Sequence, residues 1–164
     1  MSSQVLTRQA SAALEAWARL LRSHATTTRA LSVQLVADHG LTLNDYEALL
    51  LLAHAEEGRM RRVDLADQLL LTASGVTRLL DGLEQAGFVE RASCDTDRRI
   101  VYAVLTDAGR EKLEAASDTH VAGIRAVFEQ RFSESELDQL VGLLDRLPGV
   151  EGASGEACTA RGEG

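Results

Sequence analysis

The chain has 164 residues, 45% hydrophobic and 26% charged, so it can bury a core as one domain or two small ones. Its net charge is -8, and its two cysteines, Cys94 and Cys158, are too few for a disulfide scaffold or a four-cysteine zinc site. No apolar run reaches the roughly 18 residues of a membrane-spanning helix, and Arg8, Glu15 and Arg19 interrupt any leader-like stretch, so a cytoplasmic protein without a membrane partner is expected.

With Pro148 as its only proline, the chain is free to be mainly helical. Over residues 5–38, Leu6, Ala10, Ala13, Leu14, Trp17, Leu20 and Leu21 recur at helical steps. The pattern weakens at Thr26-Thr27-Thr28, resumes at Leu31, Leu35 and Val36, and is expected to stop at Gly40. Thr42 and Asp45 are spaced as a variant capping box for a second helix, which carries Tyr46, Leu49, Leu50, Leu52 and Ala53 and ends at Glu56-Glu57-Gly58.

Residues 62–69 read as a short helix and Leu70-Leu71-Thr72 as a turn. Thr72 or Ser74 then caps a helix running to Ala86 and ended by Gly87. On it Val76, Leu79, Leu80 and Leu83 share one face, and Ser74, Thr77, Arg78 and Asp81 share the other. Beyond Gly87 the period becomes that of a strand: 88–92 and 100–105 read as strands around the polar loop 93–99. Thr106 and Asp107 start a helix reaching about Gln130, and Ser133 with Glu136 caps a last helix ending near Leu147. Residues 149–164 hold five glycines and little apolar content, so disorder is expected there. No internal repeat is present.

Helix, helix, short helix, tight turn, capped helix and a hairpin with a basic tip is the element order of a winged helix-turn-helix. The charge distribution fits that order. Residues 59–112 carry nine basic and nine acidic groups, so the whole -8 lies outside them. Of the 17 basic residues only Lys112 is lysine. Arginine binds phosphate and guanine in a bidentate fork, although base composition favouring arginine codons explains the bias equally well.

The run LADQLLLTASGVTRLLDGLEQAGFVERASCDTDRRIVYAVLTDAGR resembles the MarR family of transcriptional regulators. The matching motifs are Gly87-Phe88-Val89, Asp97-Arg98-Arg99 at the wing, and Leu105-Thr106-Asp107-Ala108-Gly109. They cover roughly residues 61–112; the flanking helices agree in number and length only. The resemblance implies a mainly α fold with a small two- to three-stranded antiparallel wing, a winged helix-turn-helix flanked by N- and C-terminal dimerisation helices. It implies an N-terminal dimerisation helix at 1–40, a DNA-binding lobe at 41–112, C-terminal dimerisation helices at 106–148 and a disordered tail at 149–164. The partners it implies are pseudo-palindromic operator DNA, a second copy of the chain, and a small anionic or aromatic effector that relieves repression.

The expected DNA-binding residues are Arg61, Arg62, Ala73, Ser74, Thr77, Arg78, Asp97, Arg98 and Arg99. Small hydroxyls allow close approach to a duplex, Arg78 can reach a base edge or phosphate, and a narrow minor groove attracts inserted arginine. Asp97 is read as a brace for the wing. The expected dimer interface includes Leu6, Ala10, Ile124, Phe128, Phe132, Leu140, Leu144 and Leu147, more apolar surface than terminal helices of a monomer need. For the effector, Trp17, Leu21, His24 and Tyr46 are candidate lining residues, with Arg22 or Arg91 as anion partner. The competing reading makes Trp17 and Tyr46 core or interface residues. Cys94 is read as an exposed bystander, and His24, His39, His54 and His120 form no metal motif. No cofactor is expected, and the absence of a phosphate loop or nucleophile elbow argues against an enzyme. The alternative function is a winged-helix module that binds protein instead of DNA.

Overall fold

The computed structural model describes residues 12–94 and 99–149. Leu6, Ala10, Asp97, Arg98, Cys158 and the stretch 150–164 lie outside the described residues, as do the expectations placed on them. Within the described residues, α1 (Ala12–His39) ends where the sequence predicts. Gly40 adopts a left-handed φ of 68° and returns its N–H to the Val36 carbonyl at 2.9 Å. The threonine stretch does not break α1; within it the Thr28 hydroxyl donates to the His24 carbonyl of the preceding turn at 2.7 Å. α2 (Leu43–His54) starts with the expected capping box: Asp45 N–H donates to Thr42 Oγ1, and Thr42 N–H donates to the Asp45 carboxylate. It carries the centre of the core, Tyr46, Ala48, Leu49, Leu50 and Leu52.

A turn through Glu57 and Gly58, both at positive φ, leads into β1 (Arg59–Arg61). The sequence pattern predicts no strand at these residues. Three residues are too few to establish a strand period; pairing with a distant strand makes it one. α3 (Arg62–Gln68) and α4 (Ala73–Gln85) follow, then β2 (Val89–Ser93) and β3 (Val101–Leu105). The sheet is antiparallel in the order β1-β3-β2, with Met60 opposite Ala103 and Arg91 opposite Ala103 on the other side. The wing therefore has the third strand that the expected fold class allowed. α5 (Asp107–Glu129) and α6 (Glu134–Leu144) complete the described chain.

Thr72, not Ser74, caps α4, accepting from Gly75 N–H at 3.1 Å. Val76, Leu80 and Leu83 bury the inner face of α4 against α2 and the sheet. At its far end Gly87 takes a φ of 78°, and Phe88 N–H returns to the Leu83 carbonyl at 2.9 Å. Thr106 then closes a junction. Its hydroxyl donates to the Gly87 carbonyl at 2.7 Å and accepts from Gly109 N–H at 3.0 Å, while its own N–H donates to the Phe88 carbonyl at 3.1 Å. A Cβ on Gly109 would stand 2.1 Å from the Phe88 carbonyl oxygen, so only glycine fits. The Leu-Thr-x-x-Gly pattern is thus a packing requirement.

Behind this lobe, α5 lies against α1 and α2. A Cβ on Gly123 would meet Gln34 Oε1 at 2.7 Å, which shows how closely α1 and α5 cross. A buried polar cluster sits where the three helices meet. Tyr46 Oη is 3.1 Å from Ser117 Oγ, and the Tyr46 ring lies 4.6 Å from the His120 ring. His120 is buried, and its Nδ1 has no hydrogen-bond partner among the described residues. Burial pushes its pKa below the ordinary histidine range.

Two outcomes follow. Gly109→Ala is expected to destabilise the chain by about 1–3 kcal/mol despite alanine's better helix propensity, read as a lowered urea midpoint. His120 binds a proton more readily in the unfolded chain than in the folded one, so stability falls as pH drops below the ordinary histidine pKa towards the lower folded value. Denaturation midpoints at about pH 7.5 and about pH 5.5 should differ more for the native chain than for His120→Phe.

Candidate nucleic-acid interface

The lobe's basic residues divide by what they already touch. Arg61 forms a bidentate pair with Asp64, Nε to Oδ2 at 2.6 Å and NH2 to Oδ1 at 2.7 Å, and holds that carboxyl below the usual carboxylate range. Arg59 pairs with Glu57 at 2.5 Å and lies over the Tyr102 ring. Arg91, on β2, binds Asp81 and also Glu84, the latter at 2.9 Å. Among the described residues no carboxylate pairs with Arg62 or Arg78. Arg78 projects from the exposed face of α4. Arg62, the first residue of α3, lines two neighbouring clefts. One, about 230 Å³, lies between α4 and the wing, with Thr77, Arg91, Ser93 and Val101. The other, about 140 Å³, is shared with Arg61, Arg99 and Ile100.

The N-terminal turn of α4 presents Ala73 and Ser74 to solvent, and Ser74 Oγ lies 3.2 Å from the capping Thr72 hydroxyl. Thr77 departs from the sequence reading. It is half-buried beside the wing cleft, and its hydroxyl donates to the Ala73 carbonyl at 2.8 Å. The hundred-degree step between helical residues carries it off the outer face, towards β2. The structure therefore brings Arg61, Arg62, Thr77 and Arg99 around the base of the wing, and Ser74 and Arg78 along α4. Cys94 is half-buried, and its N–H donates to the Ile100 carbonyl at 3.1 Å, closing the hairpin.

The six candidate effector residues are not brought together. Tyr46 is a core residue, 1% exposed, and cannot line an open pocket. Arg91 is engaged by the two carboxylates of α4. Neither assignment holds: the apolar period of α2 turns Tyr46 inward, and the Gly87 turn sets Arg91 beside α4. Trp17 and Leu21 lie exposed on α1. His24 faces Glu47, whose carboxyl is pushed up by burial and pulled down by that histidine. Arg22 lines a separate open groove of about 810 Å³ between α1 and the end of α5, with Arg19, Arg131, Phe128 and Phe132.

Sequence reasoning missed Arg91's tie to α4 and the strand that sets Arg61 opposite Tyr102. The signal for the first was present: two carboxylates one helical turn apart, followed by a glycine turn and an arginine. Among the described residues no group of three or more His, Cys, Asp or Glu is placed to hold a metal, and no helix is long and apolar enough to cross a membrane.

Comparison with known proteins places this geometry in a family setting. A model of the MarR family matches residues 39–100. The HTH-type transcriptional repressor YetL of Bacillus subtilis is 35% identical over 111 residues, 68% of this chain and 66% of YetL, just under two thirds of that relative's length. The regulator MhqR of the same organism is 29% identical over 66% of this chain and 73% of its own. Among solved structures, AbsC, a MarR family transcriptional regulator from Streptomyces coelicolor, superposes with a TM-score of 0.74 and 34% identity over 84% of this chain and 93% of AbsC. Sco3205 from the same organism, a MarR family regulator solved in complex with DNA, gives a TM-score of 0.72 and 28% identity over 79% and 84% of the two chains.

Proposed function

Because this chain belongs to the MarR family of transcriptional regulators, we propose that it is a DNA-binding repressor acting in the cytoplasm as a homodimer on a pseudo-palindromic operator. The family is one of regulators, not of enzymes. One observation carries the DNA reading: Arg78 on α4 and Arg62 at the wing cleft flank the recognition surface without a carboxylate partner among the described residues. Cations already neutralised in the chain attract a phosphate weakly; these two do so in full. Ala73 and Ser74 let α4 approach the major groove, with Thr77 on the wing side of that approach, and Arg99 stands beside Arg62 for the backbone, Arg61 contributing less because Asp64 already pairs with it. Asp97 and Arg98 belong to the same reading of the wing. The acidic excess lies outside residues 59–112 and leaves this surface balanced.

Dimerisation rests on surface that one copy leaves uncovered. α6 buries no residue of its own, and Leu147 beyond it is exposed. Trp17 is 61% exposed and Leu21 53% on the first half of α1, and Phe132, which lines the groove between α1 and the end of α5, is 39% exposed. Ile124, Phe128, Leu140 and Leu144 are half-buried. A second copy covers such a face most economically, since it presents the same face. On this reading 1–40 and 106–148 are the dimerisation arms, Leu6 and Ala10 included, and 41–112 is the DNA lobe. The effector is a small anionic or aromatic molecule. The groove that Arg22 lines together with Phe128 and Phe132 offers it a cation and aromatic surface, and it relieves repression only by binding one dimer state more tightly than the other.

Fluorescence anisotropy on the DNA upstream of the chain's own gene, at two salt concentrations, tests the reading. Arg78→Ala should lose about 1–3 kcal/mol of specific affinity. Arg62→Ala and Arg99→Ala should weaken all sequences alike, with a salt slope shallower by about one. No binding to any duplex at low salt would favour a protein-binding module instead. In light scattering, Leu140→Glu combined with Leu144→Glu should halve the mass and abolish operator binding; an unchanged mass would remove α6 from the interface.

A further inference from the structure

The charges on α4 are ill suited to a helix that approaches phosphates. Its residues Ala73–Gln85 include one cation, Arg78, and two carboxylates, Asp81 and Glu84. Left bare, the helix would bring a net negative charge to a polyanion. It is not left bare. Arg91 reaches across from β2, one guanidinium nitrogen to Asp81 Oδ1 and Nε to Glu84 Oε2 at 2.9 Å. The Gly87 turn makes this possible, folding β2 back so that a residue ten positions from Asp81 lies beside it.

Exposed ion pairs of this kind contribute little to stability. Arg91 is 37% exposed, and its partners 48% and 42%. Their effect on the local field is another matter, because the pairing cancels charge where DNA approaches. The geometry points to Arg91 as an electrostatic shield for α4, a positioning residue that raises DNA affinity by neutralising Asp81 and Glu84 and makes no phosphate contact of its own. The inference rests on the DNA-binding reading above.

Two other roles for Arg91 give opposite results in one mutant set. A phosphate ligand would be missed whatever α4 carries. A mechanical clamp would be broken equally by removing the carboxylates. A shield is needed only while the carboxylates are charged. The experiment is anisotropy of the full chain with a fluorescein-labelled random-sequence duplex at low salt, and with the duplex upstream of its gene. Arg91→Ala should weaken binding to both about three- to tenfold, an effect that fades as salt rises. The pair Asp81→Asn and Glu84→Gln should bind at least as tightly as the native chain. Adding Arg91→Ala to that pair should cost less than twofold, with thermal midpoints close to native throughout.

Weakening by Asp81→Asn and Glu84→Gln alone would overturn the shield in favour of a clamp. An equal loss from Arg91→Ala in both backgrounds would overturn it in favour of a phosphate contact. No loss from Arg91→Ala, while Arg78→Ala does weaken binding, would remove this inference and leave the DNA reading intact. If the native chain binds neither duplex, both fall together.

Discussion

The junction at Thr106 is the constraint on which the winged-helix lobe depends. One side chain and its amide join three elements at their ends: the exit of α4 at Gly87, the start of β2 at Phe88 and the first turn of α5 at Gly109. The bonds satisfy carbonyls and amides that helix ends leave orphaned. The missing Cβ of Gly109 lets α5 press onto the Phe88 carbonyl. Through this junction the direction of α4 is tied to α5, and α5 in turn lies against α1 and α2.

The arginines show a second division of labour. Their chemistry is identical, and their surroundings separate them. Arg61 is matched to Asp64, Arg59 to Glu57, and Arg91 to the carboxylates of α4, while Arg62 and Arg78 meet no described carboxylate. Field at the surface comes from charge left unbalanced, so the number of arginines says less than their pairing. An acidic chain can in this way present a locally attractive face to DNA.

The outer helices tell a different energetic story. The C-terminal part of α1 buries Leu31 and Leu35, but its first half and the whole of α6 bury nothing within one copy. Their apolar residues stay uncovered within one copy, unlike those of the lobe between them.

Much of this was legible in the residues. The capping boxes at Thr42 and Ser133, the glycine stops at Gly40 and Gly87, and the inner face of α4 are local, because each depends on neighbours a turn or less away. The order of elements and the motifs from Gly87 to Gly109 gave the fold and the family. Tertiary structure decided what depends on distant partners. β1 exists because β3 pairs with it, Tyr46 faces inward because α5 covers it, and Thr77 turns towards the wing. Arg91 is paired with two carboxylates on another element. Sequence fixes the period and chemistry of each segment. Only packing determines which charges cancel and which apolar faces remain open, since both depend on residues far apart in the chain that meet only in the folded molecule.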